Sequence, residues 1–440
     1  MDFPNIKILL HRKANSRFRK DSALVILSII VQLILGGLFS HYYDMPIFMA
    51  TGYLVNGGQN PYISQDLTAV FHNSTFQGMT SVGYPPPWPL LLGFLFRILY
   101  HWLPNLAIYN LVIKLPVIAA NIGLAFWVVR SLNHLGVEEA RIRKAFLFML
   151  FCPLTLYFGA AWGQFDSIVA LLALISLSNL EAGRLPQSAA LLALAIASKP
   201  TAIPLIPVFL IYLLGRSPRR TLEYGLWLMM GTACFAIIPF LVLGWDLSPI
   251  LQGWNAHFTV AGGMSYMTFW ELLKNTYQLP GVWWLLGLAW IPALGIAVYI
   301  LRHGIIDFTD LLRKSLGMVL VFYLTRTWLS EPNIILLLPL MLILTLNGEF
   351  HPFLFYTIIF LPLVVTIFNA SPPQLLWLNF PAAMVEIQNW AEGLRTLRLI
   401  GRTILVIPWQ IAGWMIVYKC FKNLPSGSNE RVTAFLTQQA

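Results

Sequence analysis

Ser22-Ala23-Leu24-Val25-Ile26-Leu27-Ser28-Ile29-Ile30-Val31-Gln32-Leu33-Ile34-Leu35-Gly36-Gly37-Leu38 is a nearly unbroken apolar run, and Phe39-Ser40-His41-Tyr42-Tyr43-Asp44 carries it into polar sequence. The run is long enough to read as a membrane-spanning helix, for which about 17–25 apolar residues suffice. Lys7, Arg12, Lys13, Arg17, Arg19 and Lys20 precede it, and no small-residue cleavage signature follows it. It therefore reads as a retained signal anchor with residues 1–21 as a cytoplasmic basic tail. The stretch that follows, through Gly57-Gly58-Gln59-Asn60-Pro61-Tyr62 to Gly83-Tyr84-Pro85-Pro86-Pro87, is then an extracytoplasmic loop over residues 41–87. Neighbouring spans are mostly joined by short loops. A first loop this long, with an acid just beyond the span, suggests a site built at the membrane surface.

Composition points the same way. The 440 residues are 58% hydrophobic and only 10% charged, against roughly 25% charged in soluble chains. The expected fold class is all-α, a polytopic membrane helical bundle of roughly 11 spans in a single domain over 1–440. The alternation of a closed barrel is absent. The net charge of +10 implies no nucleic-acid partner, because the basic residues sit in short clusters between apolar runs, as in cytoplasmic loops. Such clusters fall at Arg130 to Lys144, Arg216 to Arg220, Arg302 to Lys314 and Lys419 to Lys422. Outside turns then fall near Trp162–Ser167, Lys199–Ala202, residues 244–280, Thr325–Asn333 and Asn369–Leu397. Residues 423–440 read as a loose cytoplasmic tail. The run Trp88–Tyr100 is short and holds Arg97, so it reads as re-entrant or interfacial. The runs flanking Lys199 are also short for a full crossing. Cys152, Cys234 and Cys420 form no disulfide or zinc framework. The eight histidines lack metal-ligand spacing, and no phosphate-binding glycine loop occurs.

The polar residues at outer helix ends are the candidates for chemistry. Asp44 is either a solvated loop acid or a partly desolvated base with a raised pKa. Asp66 reads as a helix cap. In Ala161-Trp162-Gly163-Gln164-Phe165-Asp166-Ser167, Asp166 or Ser167 suits the cap of the next helix. Trp162, Gln164 and Asp166 equally suit a sugar, through stacking and hydroxyl hydrogen bonds. Lys199, in Ser198-Lys199-Pro200, is either a snorkelling lysine or a cation for a lipid phosphate. Ser330-Glu331-Pro332 is a helix start. That does not explain Arg326, whose guanidinium suits phosphate oxygens. The aromatic-rich loop 244–280 fits an interface belt or a sugar wall.

In order along the chain, Asp44, Gly57 to Tyr62, Tyr84-Pro85-Pro86-Pro87, Trp162-Gly163-Gln164-Phe165-Asp166-Ser167 and Ser198-Lys199-Pro200 resemble the GT-C membrane glycosyltransferases. The likeness is to their polyprenyl-phosphate-mannose-dependent branch and covers the first half of the chain. The second half matches by hydropathy and by Ser330-Glu331-Pro332-Asn333. One departure is that Asp44 stands alone where some members carry paired acids. The resemblance implies transfer of a sugar, mannose by likeness, from a polyprenyl-phosphate donor to an acceptor hydroxyl on the outer face, with inversion. Asp44 would be the base. Lys199 and Arg326 would bind the donor phosphate, and Tyr43, Tyr84, Trp162, Gln164, Asp166 and Glu331 the sugar or acceptor. The implied partners are the lipid-linked donor, a glycolipid or glycan acceptor and membrane lipid, with no metal and no cofactor. The sequence shows no organelle signal, so the expected location is the cell membrane of a prokaryote. A lipid or sugar transporter, or a diphosphate-donor polymerase or ligase, is the competing expectation.

Overall fold

The computed structural model describes residues 22–257, 260–281, 283–302 and 304–422, so the two expected tails lie outside the described residues. Among the described residues the regular structure is helical apart from one two-stranded ladder and two isolated bridges. The first half holds α1 (Ser22–Leu38), α2 (Asp44–Asn56), α3 (Pro87–Tyr100), α4 (Leu106–His134), α5 (Glu139–Trp162), α6 (Asp166–Glu181), α7 (Leu185–Ser198) and α8 (Pro200–Leu214). The second half holds α9 (Pro218–Leu243), α10 (Ser248–His257), α11 (Thr268–Tyr277), α12 (Trp284–Leu301), α13 (Phe308–Leu324), α14 (Glu331–Leu346), α15 (Pro352–Phe368), α16 (Ala383–Gly393) and α17 (Arg395–Phe421).

Five of these helices, α4, α5, α9, α12 and α17, are long and apolar enough to cross a membrane. Six more (α1, α3, α7, α8, α14 and α15) are apolar but shorter. Their packing shows what surrounds them. In α9 and α12 the apolar side chains point outward: Leu222 is 67% exposed, Leu241 74%, Val242 75% and Ile296 64%. A contiguous apolar exterior of this kind suits lipid and not water. The core is built by the inner faces of α4 to α8, α13 and α14, where residues such as Leu124, Leu177, Leu192, Val208, Leu316 and Ile343 are fully buried.

The connecting segments gather at two ends. At one end, Asn379 donates to the Leu38 carbonyl at 2.6 Å, the Tyr42 amide to the Gln374 carbonyl at 3.1 Å and the Trp377 indole to Thr75 at 3.1 Å. Asn60 reaches the Asp246 carbonyl at 3.1 Å, also at this end. There β1 (Gly262–Gly263) pairs in parallel with β2 (Trp328–Leu329). Gly263 has φ +63°, and a Cβ on it would strike the Leu329 backbone, so only glycine fits. The basic segments meet at the other end. Arg141 donates to the Leu346 carbonyl, Arg216 to the Ile306 carbonyl, and Arg313 faces Glu349. The 29-residue α4 joins the two ends, a rise of about 43 Å at 1.5 Å per residue.

Most of the interior of loop 41–87 is structured. Its helix α2 is buried along most of its length and runs parallel to α3: Phe48 meets Trp88 edge-on, Gly52 abuts Leu92, and Tyr53 meets Phe96. α3 starts against Phe165, on which Trp88 stacks at 4.2 Å, and finishes against Tyr109 in the first turn of α4, which Tyr100 approaches at 5.0 Å. Both ends of α3 therefore lie at the same end of the bundle, with Arg97 exposed on its surface.

Candidate functional site

Asp44 opens α2, and three segments converge on it. His41, three residues earlier, brings Nδ1 to 3.2 Å from the Asp44 carboxylate. Trp162, the last residue of α5, donates its indole N–H to the same oxygen at 2.5 Å. The imidazole of His41 and the indole of Trp162 are stacked, with centroids 3.8 Å apart and planes 10° from parallel. Gln164 faces both Asp44 and Tyr84. The final turns of α5, Thr155–Trp162, are widened into π-helical turns after Pro153. This winding delivers Trp162 to Asp44, and π turns recur at functional positions. Gly163 then reverses the chain at φ +98°, where a side chain would meet Met45 and Lys114.

Burial pushes the Asp44 carboxyl up. The hydrogen bond and charge of His41, with Trp162 and Gln164, outweigh that push and hold it below the ordinary carboxylate value. The expectation of a raised pKa is corrected here: desolvation is present, but a set of donors around the carboxylate dominates it. The His41 Nδ1 also lies 3.3 Å from the Asp44 amide. One nitrogen does not accept from that amide and donate to the carboxylate at once, so where the imidazole carries its proton decides which of the two contacts forms.

Asp166 and Lys199 form the second element. The ammonium lies 2.8 Å from both carboxylate oxygens, and the two side chains are 2% and 8% exposed. Asp166 is the first residue of α6 yet makes no capping bond; Phe165 occupies the cap position and the carboxylate turns to Lys199. The capping expectation for Asp166 and Ser167 is corrected accordingly. The Lys199 charge is not free either. It is matched by Asp166 and faces the Tyr84 and Phe165 rings at 5.4 and 5.5 Å, so it reaches a phosphate only if that pair opens. Burial, and the charges of Asp44 and Asp166, hold the Tyr84 phenol well above its ordinary value. Gln164 Oε1 and Ser167 Oγ are buried with no hydrogen-bond partner among the described residues.

The remaining candidates sit farther out. Tyr43 is exposed at the rim, its hydroxyl 3.4 Å from Thr80. Arg326 rests over the Phe322 ring at 5.2 Å and has no carboxylate partner among the described residues. Tyr323 is within electrostatic reach of both Arg326 and Asp166. Glu331 belongs to a separate polar chain: Asn369 donates to Glu331, Arg402 donates to Asn369 at 2.8 Å, and Arg402 pairs with Glu271. Tyr157, whose ring is 6.0 Å from Trp162, connects this chain to the first cluster. Asp66 accepts from the Thr68 amide at 2.9 Å, a local turn away from Asp44.

Sequence reading passed over the roles of His41, Asn369 and Arg402, while Glu271 fell within the 244–280 loop it read as an interface belt or sugar wall. His41 carried a signal in its three-residue spacing from Asp44. Arg402 carried one as the charge of α17 that lies deepest in from the helix ends, next to the apolar run from Ile404 to Ile407. Among the described residues no group of three His, Cys, Asp or Glu side chains converges as a metal site would. No protein-family profile matches the chain, and no curated protein matches it.

Proposed function

We propose that this chain is a polytopic membrane glycosyltransferase that moves a sugar from a polyprenyl-phosphate donor to an acceptor hydroxyl at the outer membrane face. In this reading the short helices count as crossings or half-crossings, giving about 11 spans, and α2 and α3 lie along the outer surface. The single observation that carries the reading is the Asp44 carboxylate, fixed by His41 and Trp162 at the end of the bundle away from the basic clusters. An ionised, oriented carboxylate beside aromatic walls is what an inverting displacement requires.

The acceptor oxygen attacks the anomeric carbon as its proton passes to an Asp44 oxygen. The bond from that carbon to the phosphate oxygen breaks, and its electron pair stays on the departing polyprenyl phosphate. Arg326, with no carboxylate partner among the described residues, stabilises the added charge. Tyr84 and Trp162 wall the sugar. The expected chemistry is metal-independent, with Arg326 in place of a divalent ion at the leaving group.

The test is transfer of labelled mannose from polyprenyl-phosphate-mannose to lipid acceptors in proteoliposomes with EDTA present. Labelled product supports the reading. Substrate translocation without a new bond would replace it with the transporter reading, and product only from a diphosphate donor would replace it with the polymerase or ligase reading.

The pH dependence follows from the Asp44 environment. A carboxyl held below its ordinary value keeps its charge until the pH falls through that lowered value. The acid limb of kcat/KM should therefore lie below the unperturbed carboxylate value of about 3.9. Trp162→Phe removes one donor and should move the limb upward by about one pH unit, measured in the same transfer assay at constant ionic strength. A limb that stays in position would remove Trp162 from this role.

A further inference from the structure

α4 carries two buried polar residues one turn apart, Asn110 and Lys114, both fully shielded. Their four-residue spacing puts them on one helix face. Lys114 Nζ donates to three backbone carbonyls: Gly36 at 3.2 Å, Phe39 at 2.5 Å and Ala161 at 2.8 Å. Asn110 Nδ2 donates to two of the same three, Gly36 at 2.7 Å and Phe39 at 3.0 Å. Gly36 and Phe39 are at the C-terminal end of α1, where carbonyls have no intrahelical donor. Ala161 is in the last turn of α5. An ammonium group has three N–H donors, and here each has a carbonyl. No carboxylate pairs with Lys114 among the described residues.

The position of these carbonyls in the chain gives the contact its consequence. Phe39 is two residues before His41, and Ala161 immediately precedes Trp162. The two groups that hold the Asp44 carboxylate thus hang from the two backbone ends that Lys114 joins. Gly163, next along, passes so close that a Cβ there would come within 3.0 Å of the lysine Cε. A snorkelling lysine would extend toward water, whereas this one turns inward to backbone.

We propose that Asn110 and Lys114 are positioning residues that tie the end of α1 to the end of α5 and so set His41 and Trp162 against Asp44. Neither touches a reacting atom. The proposal rests on the transfer reading only for what Asp44 does, so its first test avoids turnover. The protein is labelled with fluorotryptophan, and the Trp162 resonance is identified by its loss in Trp162→Phe. In the wild type that resonance should follow Asp44 through its titration. The other titratable or charged groups near the carboxylate are His41, Tyr43, Tyr84 and the Asp166–Lys199 pair. These are unchanged in a Lys114 variant, and Lys114→Met and Lys114→Gln lose the ammonium charge alike, so the difference between those two reports the tie.

In Lys114→Met the Trp162 resonance should shift or broaden, and its titration midpoint should rise by about one pH unit. Lys114→Gln keeps two N–H donors and should fall between the two. In the transfer assay, Lys114→Met should lower kcat by about tenfold or more while donor KM stays unchanged. If Lys114→Met fails to fold, Lys114→Gln decides. A wild-type Trp162 resonance and midpoint in whichever variant folds would overturn the proposal, even with stability lowered. An altered resonance in a chain that transfers no sugar would support the tie and defeat only the reading of function.

Discussion

Asp44→Asn is expected to lower sugar transfer by about 10²- to 10⁴-fold while leaving donor affinity near its wild-type value. The substitution keeps shape and one oxygen, so the Trp162 indole still has an acceptor and the stack of His41 on Trp162 has no cause to move. It removes the proton acceptor alone. The lowered pKa makes Asp44 a weaker base than a carboxylate poised near neutrality, but one that is ionised in every molecule at neutral pH. That exchange suits a displacement in which the donor bond is well broken before the acceptor proton is lost. Asp44→Glu would restore the charge one methylene farther out and should recover little, because orientation and charge are both required. Stability should respond with the opposite pH sense from a raised group. With the folded pKa depressed, the Asp44 contribution is present above about 3.9, the unfolded value, and lost as pH falls through the folded one. Asp44→Asn should therefore cost some stability at pH 7 and none in strong acid. Transfer by Asp44→Asn at near wild-type kcat would exclude Asp44 as the base, and Asp166, tied to Lys199, would be a poor substitute.

Much of this arrangement is legible in the residues, and the rest has a physical reason for being hidden. Hydropathy alone locates α4, α5, α9 and α17, because a membrane-length apolar run has few other readings. The short apolar stretch with Arg97 is legible as something other than an ordinary span, and in the structure α3 indeed begins and ends at the same end of the bundle. Asp44, Trp162 and Gln164 are recognisable as polar groups at helix ends, and the three do come together. What linear sequence withholds is partnership across the fold. Lys199 and Asp166 are 33 positions apart, and each has a sound local explanation as interfacial cation and helix cap. Only the packing of α6 against α7 shows that each is the other's partner. The sign of the Asp44 shift is hidden for the same reason. Depth near a helix end predicts desolvation, while the opposing donors come from residue 41 on one side and residues 162–164 on the other. Glu331, grouped with the sugar- or acceptor-binding residues by the resemblance, hydrogen-bonds into a chain through Asn369 and Arg402 whose members are far apart in sequence.

The Asp166–Lys199 pair carries the second large expectation. Lys199→Met should destabilise the protein by about 3–5 kcal/mol, since it leaves a buried carboxylate with no countercharge. The two side chains are almost wholly shielded, so solvent does little to screen the loss. Asp166→Leu combined with Lys199→Met removes both charges and should regain most of the stability, because an apolar pair of similar volume avoids the desolvation cost of both ions. Unfolding midpoints of the three proteins in one detergent measure this directly. A lysine held free for a phosphate behaves otherwise: Lys199→Met would raise donor KM, leave the midpoint where it was, and gain nothing from a second change at Asp166. The two outcomes separate a structural ion pair from a ligand-binding cation. The pair also bears on transfer, since Lys199 faces the Tyr84 and Phe165 rings and Tyr84 lies within reach of the Asp44 charge. The stabilised double variant should thus still lose activity, through a displaced Tyr84 wall and not through a lost phosphate contact. Arg326 is then the cation whose removal should act on the donor: unlike Lys199, it has no carboxylate partner among the described residues that a substitution would strand.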